Sequence, residues 1–391
     1  MTPKGGMGSA GYARKWVISF LLGPHFSIGA INGPAAQEGG AFCRVDAALP
    51  CPHPRPMFPL FATGGPVDPL LILLAALILD AIVGDPPALW RLLPHPVALI
   101  GRLIAYFDRK LNREDRSAPD LRKRGAVVAA GMTLAAVGLG LAVTELRRRT
   151  VWGWAAEVVL VWTLIAQNSL FVHVRAVGRA LEREGLAGGR RAVARIVGRD
   201  PESLDQFGVA RAAIESCAEN FADGVVAPVF WYLLFGFPGL LACKTINTLD
   251  SMIGHLDDRH RDFGRVSARL DDGMNLVPAR LAGLLLSLAA LFVPRGRPIE
   301  AFRVMLSDHA HHRSPNSGWP EAAMAGGLDL SLAGPRRYPG YVAQEKWIGE
   351  GRARATVIDI RRSLLMLAVG CLLDAGLVIL VILAQAAISG R

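Results

Sequence analysis

Charge is scarce in this chain. Only 19% of its 391 residues are Asp, Glu, Lys or Arg, where a soluble domain carries about a quarter. The shortfall is gathered into long apolar runs, which points to lipid rather than to an oversized soluble core. Paired cysteines are missing as well. Cys43, Cys51, Cys217, Cys243 and Cys371 form no CxxC pair and no zinc spacing, so they read as small apolar fillers and not as a disulfide framework. No GxxxxGK[ST] stretch occurs, which excludes an ordinary P-loop, and there is no HExxH pair or GxSxG elbow. No basic helix with interleaved aromatics accompanies the net charge of +10, which argues against a nucleic-acid binder. Arginines beside apolar runs fit loops held on the cytoplasmic side during insertion, where they also attract anionic substrates.

Six segments are apolar enough to enter a membrane: 70–83, 126–143, 151–174, 225–243, 281–293 and 364–388. Residues 126–143 are the cleanest, with eighteen uncharged positions ahead of the Arg147-Arg148-Arg149 triplet. Asp80, Glu157 and Asp374 lie inside such runs, and acids at that depth are functional candidates by default. The segment 225–243 carries Phe235-Gly-Phe-Pro-Gly239 at its middle. Pro and Gly disfavour a continuous helix, so two half-helices dipping in and out are as compatible with it as one crossing. The connecting stretches 84–124, 175–224, 244–275 and 294–363 each carry at least five Lys or Arg residues, and strict alternation of sides would break the positive-inside rule repeatedly. At least one segment therefore does not span, and the Phe235–Gly239 break is the first candidate. The expectation is an all-α, polytopic membrane bundle over residues 67–391 with a broken or re-entrant helix around 225–250. Residues 1–66, rich in Gly, Pro and Ala, read as a poorly ordered extension, with Met57 as an alternative start.

Polar motifs punctuate these runs. Gly84-Asp-Pro-Pro87 ends the first, followed by His95-Pro-Val97. This is either a rigid helix stop with a solvated Asp85 or part of a site. On a helix, Glu215 and Glu219 share a face, and Asp223 lies within about 80° of Glu215; Asn220 sits beside them. Carboxylates so crowded repel one another unless a cation or basic partner intervenes. Oxygen ligands of this kind suit Mg²⁺, while arginine pairing on a solvated face is the plainer alternative. Lys244, Asn247, Asp250 and Gly254 continue the theme, the last three forming one helical stripe. Arg261, Asp262, Arg265, Arg269, Asp271 and Asp272 form either a surface lattice of ion pairs or a phosphate clamp. Three histidines in His309-Ala-His-His312 lack any zinc signature and read as polar contacts. Arg313, Asn316 and Glu321, in a loop shaped by Pro and Gly, look more like ligand contacts.

Taken together, these segments closely resemble adenosylcobinamide-phosphate synthase, the CobD/CbiB family of cobalamin biosynthesis. The likeness rests on Leu79-Asp80 with Gly84-Asp-Pro-Pro87, His95-Pro-Val97 with Ile100-Gly101, and Glu215-Ser-Cys-Ala-Glu-Asn220 with Asp223-Gly-Val-Val-Ala-Pro228. It continues through Asn247-Thr-Leu-Asp-Ser-Met252, Arg261-Asp-Phe-Gly264, Ala268-Arg-Leu-Asp-Asp272, Pro278-Ala-Arg280 and Ser314-Pro-Asn-Ser-Gly-Trp-Pro-Glu-Ala-Ala-Met324. It covers residues 70–390 in order. The stretch His255–His260 departs from the usual pattern, and residues 1–66 have no counterpart.

The resemblance implies a membrane ligase that uses ATP and Mg²⁺ to join adenosylcobyric acid to (R)-1-amino-2-propanol phosphate or a related amino alcohol. It places the site on the cytoplasmic face of the cell (inner) membrane, with contacts to other late membrane enzymes of the pathway. The catalytic expectation falls on Glu219, Asp250 and Asp262, and magnesium binding on Glu215, Glu219 and Asp250. ATP and substrate contacts are expected at Asp85, His95, Glu215, Asn220, Asp223, Lys244, Asn247, Arg261, Arg265, Asp271, Asp272, Arg280, Arg313, Asn316 and Glu321. Two rival classes are weaker. A transporter would use the intramembrane acids and the broken helix, but no inverted repeat is visible. A Mg-dependent transferase of the CDP-alcohol or prenyl type needs aspartate spacings that this chain lacks.

Overall fold

The computed structural model describes residues 67–389, apart from 199, 339, 340 and 344; the 1–66 expectation lies outside the described residues. Thirteen helices carry most of this stretch. Helix α1 (Pro69–Val83) starts with Asp68, whose carboxylate accepts from the Leu70 N–H at 2.7 Å. It ends at Gly84, where φ turns to +62°. The short α2 (Pro87–Leu92) and the amphipathic α3 (Pro96–Leu111) each begin on a proline, a position that needs no N–H. Then α4 (Ala118–Arg149) runs 32 residues, about 48 Å at 1.5 Å per residue. Its outward side chains, Val127, Leu134, Leu139 and Leu141, are more than half exposed, as a lipid-facing surface requires. Next, α5 (Gly153–Trp162) and α6 (Gln167–Val193, kinked at Gly185) follow with a break at 163–166.

Helix α7 (Gln206–Phe221) passes through a π turn (Ala222–Val226) into α8 (Ala227–Phe235). The chain reverses at Gly236, φ +68°, and α9 (Phe237–Ile253) returns. A Cβ on Gly239 would strike the Trp231 carbonyl and the Phe235 side chain, so glycine lets the two half-helices close into a hairpin. Neither half, at 9 and 17 residues, is among the helices long and apolar enough to cross a membrane. The broken helix expected at 225–250 is therefore present. Among the described residues four stretches do meet that length and composition: 118–149, 153–193, 265–292 and 357–388. The protein is an all-α polytopic membrane protein.

Two sequence boundaries need correction. The short apolar run at 281–293 is only the end of α10 (Arg265–Ala289), which starts sixteen residues earlier and includes Asp271, Asp272 and Pro278. The polar stretch 244–275 is mostly helix, because α9 runs on to Ile253 before a short turn. Polarity there marks a site lining and not a loop. Helix α11 (Pro298–Asp308) and α12 (Gly318–Leu328), buried except at Trp319, pack beside α10. Two small antiparallel pairs follow, β1 (Leu332–Ala333) with β4 (Trp347–Ile348) and β2 (Arg336–Tyr338) with β3 (Tyr341–Ala343). Helix α13 (Val357–Ser389) closes the chain.

The apolar core falls into three clusters. One lies among α6, α7 and α10–α12, a second among α1, α5, α8 and the C-terminal half of α13, and a third among α3, α4 and the end of α9. Helix α7 belongs to the first cluster and α9 passes from the second to the third; they carry the Glu215–Asn220 and Lys244–Asp250 motifs.

Candidate functional site

The first wall of the site is held from inside the membrane. Asp80, 1% exposed, accepts from the N–H groups of Gln167 (2.9 Å) and Asn168 (3.3 Å) at the start of α6. The Trp162 indole donates to the Gly84 carbonyl at 3.1 Å. This intramembrane acid thus caps a helix, and in doing so it fixes the Gly84–Asp85 turn against Ser169 and His173. Beside that turn His95 opens α3, with Nδ1 accepting from the Val97 N–H at 3.2 Å. Nδ1 is therefore unprotonated, and Nε2, 3.9 Å from Asp85, bears the proton of the neutral ring. Burial, with the Lys244 charge behind it, lowers His95 to about 4, which agrees with that tautomer.

Lys244 links this wall to the second. It is 9% exposed on α9, and burial lowers its ammonium while negative charge at Asp223, Asp85 and Asp80 acts the other way. Beyond it lie Asp223 on the π turn, Glu219 on α7, Asp250 on α9, and Asp271 with Asp272 on α10. Burial raises Asp223 well above the carboxylate range, and Asp271, Glu219 and Asp250 add to the effect. Burial likewise pushes Asp250 up to about 7, with the charges of Asp271, Asp272 and Glu219 behind it. The π turn inserts one residue into the helix and so alters which face Asp223 presents. Ser317 donates to Glu219 at 3.1 Å, Asn275 donates to Asp271 at 3.0 Å, and Asn316 donates to the Asp272 carbonyl at 2.8 Å. Asn247 also donates to Asp271.

The remaining expected residues scatter. Glu215 is turned away: its Oε1 accepts from the Ala333 N–H on β1 at 2.8 Å, so the shared helical face does not bring it to Glu219 and Asp223. Asn220 donates back to the Ser216 carbonyl at 2.9 Å. Asp262 pairs with Arg122 at 2.7 Å, tying the α9–α10 turn to α4. Arg261, Arg265 and Arg313 are exposed. Arg280 lies over the Trp319 ring, 4.5 Å from its centroid, and His309 stacks on the same ring at 3.9 Å. Glu321 is 1% exposed and 3.7 Å from His312. Each histidine of the 309–312 run has its own local partner, including the Trp347 carbonyl for His311 at 2.9 Å, in keeping with polar contacts. Of the other intramembrane acids, Glu157 forms an ion pair with Arg147, and Asp374 is 2% exposed within α13.

Sequence reasoning passed over Ser169, His173, Asn275 and Ser317. The signal for the first two was available: Gln167-Asn-Ser169 and His173 sit inside an apolar segment, where polar side chains are costly. Asn275 and Ser317 become informative only when α10 and the start of α12 meet.

Comparison with known proteins accounts for this arrangement. The model of the CobD/Cbib protein family matches residues 73–367. The chain belongs to that family. Its relatives include proteins named "Cobalamin biosynthesis protein CobD" from Brucella anthropi (56% identical, covering 69% of this chain and 83% of the relative), from Sinorhizobium (51%; 79% and 97%) and from Rhodobacter capsulatus (45%; 75% and 91%). No solved structure matches it. The family match spans both walls of the site, from the Asp80 cap to the start of α13.

Among the described residues no group of three His, Cys, Asp or Glu side chains is already disposed to enclose a metal ion. The donor chemistry still suits magnesium. The cluster offers carboxylate and amide oxygens, and Mg²⁺ binds through one or two carboxylates and substrate phosphates while keeping several waters. A closed protein cage is not required of such a site.

Proposed function

We propose that this member of the CobD/Cbib family acts in cobalamin biosynthesis as an ATP-dependent ligase of the cell inner membrane, with its site open to the cytoplasm. It would join adenosylcobyric acid to (R)-1-amino-2-propanol phosphate, or a related amino alcohol, and give adenosylcobinamide phosphate. The observation that carries the reading is the gathering of Glu219, Asp223, Asp250, Asp271 and Asp272, with the buried Lys244 beside Asp223 on one side and Asp85 and Asp80 on the other. So much negative charge at a membrane boundary calls for cationic ligands, and Mg-ATP brings one together with phosphates for the lysine. The relatives' names supply the corrinoid pathway.

A carboxylate is a poor acyl donor, so the γ-phosphoryl of ATP passes to a corrinoid carboxylate oxygen, releasing ADP. The amine then attacks the acyl carbon, the C–O bond to phosphate breaks, and the amine sheds a proton to a nearby carboxylate. Glu219 and Asp250, with Asp223 beside them, would hold magnesium, which when bound offsets charge on the transferring phosphoryl group. Lys244 orients phosphate oxygens from the side facing Asp85. His95, neutral, offers its Nε2–H without adding charge. The test is mass spectrometry of corrinoids after incubating purified protein with ATP, adenosylcobyric acid and each candidate amine. An ATP-dependent product of the amide's mass is expected, and its absence with every amine would refute the reading.

A further inference from the structure

Asn275 and Asn316 are 2% and 4% exposed, and both amides grip the same turn of α10. Asn275 donates its Nδ2 to the Asp271 carboxylate, and Asn316 donates its Nδ2 to the Asp272 backbone carbonyl. These acceptors fix the orientation of both amides, since only the nitrogen can donate. Each is left with an oxygen facing inward, and among the described residues no donor meets either one. A buried acceptor left unmet costs about 1–3 kcal/mol. Two such oxygens, held against one helical turn that carries Asp271 and Asp272, with Glu219 bonded to Ser317 next to Asn316, mark a place where a ligand brings the donors, and the surrounding acids require that ligand to be cationic.

We infer that Asn275 and Asn316 present their amide oxygens to the primary ammonium group of the amine substrate. This rests on the amide-forming reading above. An ammonium carries three N–H donors in a compact head, which two amide oxygens and one carboxylate oxygen satisfy in number. Neutral acceptors also suit the chemistry, because the amine must lose a proton before it attacks. An amide oxygen holds an N–H without stabilising the positive charge as strongly as a carboxylate does, so the nitrogen is positioned yet still acidic enough to release its proton. Ser314 supports this arrangement by accepting from the Asn316 N–H at 3.2 Å, with the adjacent Ser317 hydroxyl bonded to Glu219.

The test uses the full chain in detergent or nanodiscs with 1-amino-2-propanol phosphate as the probe. Asn275→Ala and Asn316→Ala should raise the KM for the amine at least tenfold more than the KM for ATP, on the order of one lost hydrogen bond to a charged donor. The hydroxyl analogue, 1,2-propanediol 2-phosphate, with one donor in place of three, should inhibit wild type weakly and lose less in the variants than the amine does. Equal loss for amine and hydroxyl analogue would overturn the assignment. So would a raised Mg²⁺ requirement at constant amine KM, which would make the oxygens metal ligands. Positional isotope exchange in ATP, followed in wild type without any amine, tests the underlying reaction separately. If exchange occurs and the asparagine variants behave as wild type, only the amine subsite falls; if no exchange occurs and no product forms, the ligase reading falls with it.

Discussion

Two polar clusters lie along the α8–α9 hairpin, and they are built on opposite rules. In the first, Arg147 and Glu157, each about 2% exposed, form an ion pair at 2.9 Å. Tyr232 of α8 donates to the same carboxylate at 2.7 Å, and Arg147 reaches the Val67 carbonyl at 3.0 Å. One positive charge meets one negative charge, although the closest N and O atoms are off line for a hydrogen bond. In the second, five carboxylates act on one another, several amides donate to them, and the buried Lys244 of α9 stands beside one of the five, Asp223. The first cluster is neutral as it stands and joins α4, α5 and α8. The second crowds acids together, and burial with their mutual repulsion raises Asp223 and Asp250. Protein charge that balances internally braces the fold, whereas charge left unbalanced awaits a ligand.

The largest effect should come from unbalancing the first cluster. Arg147→Met leaves Glu157 buried without its partner, and removing one member of a buried pair costs about 3–5 kcal/mol. Thermal unfolding in detergent should drop sharply, and Arg147→Met with Glu157→Gln should recover much of the loss. A single variant as stable as wild type would show that this cluster does not brace the fold. The second cluster should respond the other way. Asp250→Ala or Glu219→Ala should slow turnover by roughly a hundredfold or more, with the protein still in the membrane and unfolding no earlier than wild type. Relief of crowded negative charge even favours a slight gain in stability. Turnover near the wild-type rate would place the ATP site elsewhere.

The hairpin joining the two clusters offers a third probe. Gly236 sits at φ +68°, ψ −154°, a region in which an L side chain is strained by roughly 1–3 kcal/mol. Gly236→Ala should lower both stability and turnover, since Tyr232 and Lys244 lie on either side of it. A smaller, pH-dependent effect is expected at the α9–α10 turn. There His260 lies 3.5 Å from Asp108 and 2.9 Å from Asp257, with Arg259 also on Asp108. Burial lowers His260, but the bonds to Asp108 and Asp257 outweigh it and raise the ring above 6.5. Its stabilisation is therefore full below about pH 6.5 and fades as pH rises through the folded-state value. In His260→Gln that decline should vanish from the pH–stability curve, by about 1 kcal/mol or less.

Much of this architecture was legible in the residues. Long uncharged runs can be satisfied only by helices in lipid, and Gly-Phe-Pro-Gly, which lacks one backbone donor and tolerates a positive φ, marks the reversal at Gly236. The stripe Asn247–Asp250 follows from helical period alone, and the ordered motifs from Asp80 to Met324 gave the family. Other features depended on neighbours distant in sequence. Helical spacing groups Glu215 with Glu219 and Asp223; the last two do act on each other, but β1 engages Glu215. Asp80, Glu157 and Asp374 look alike as acids in apolar runs; the first caps α6, the second pairs with Arg147, and the third stays buried in α13. Periodicity describes one helix at a time, so it could name the acids but not their partners. The meeting of α7, α9, α10 and the start of α12 was decided by packing, and it leaves Lys244 as the buried cation among the carboxylates and Asn275 and Asn316 with unmet oxygens.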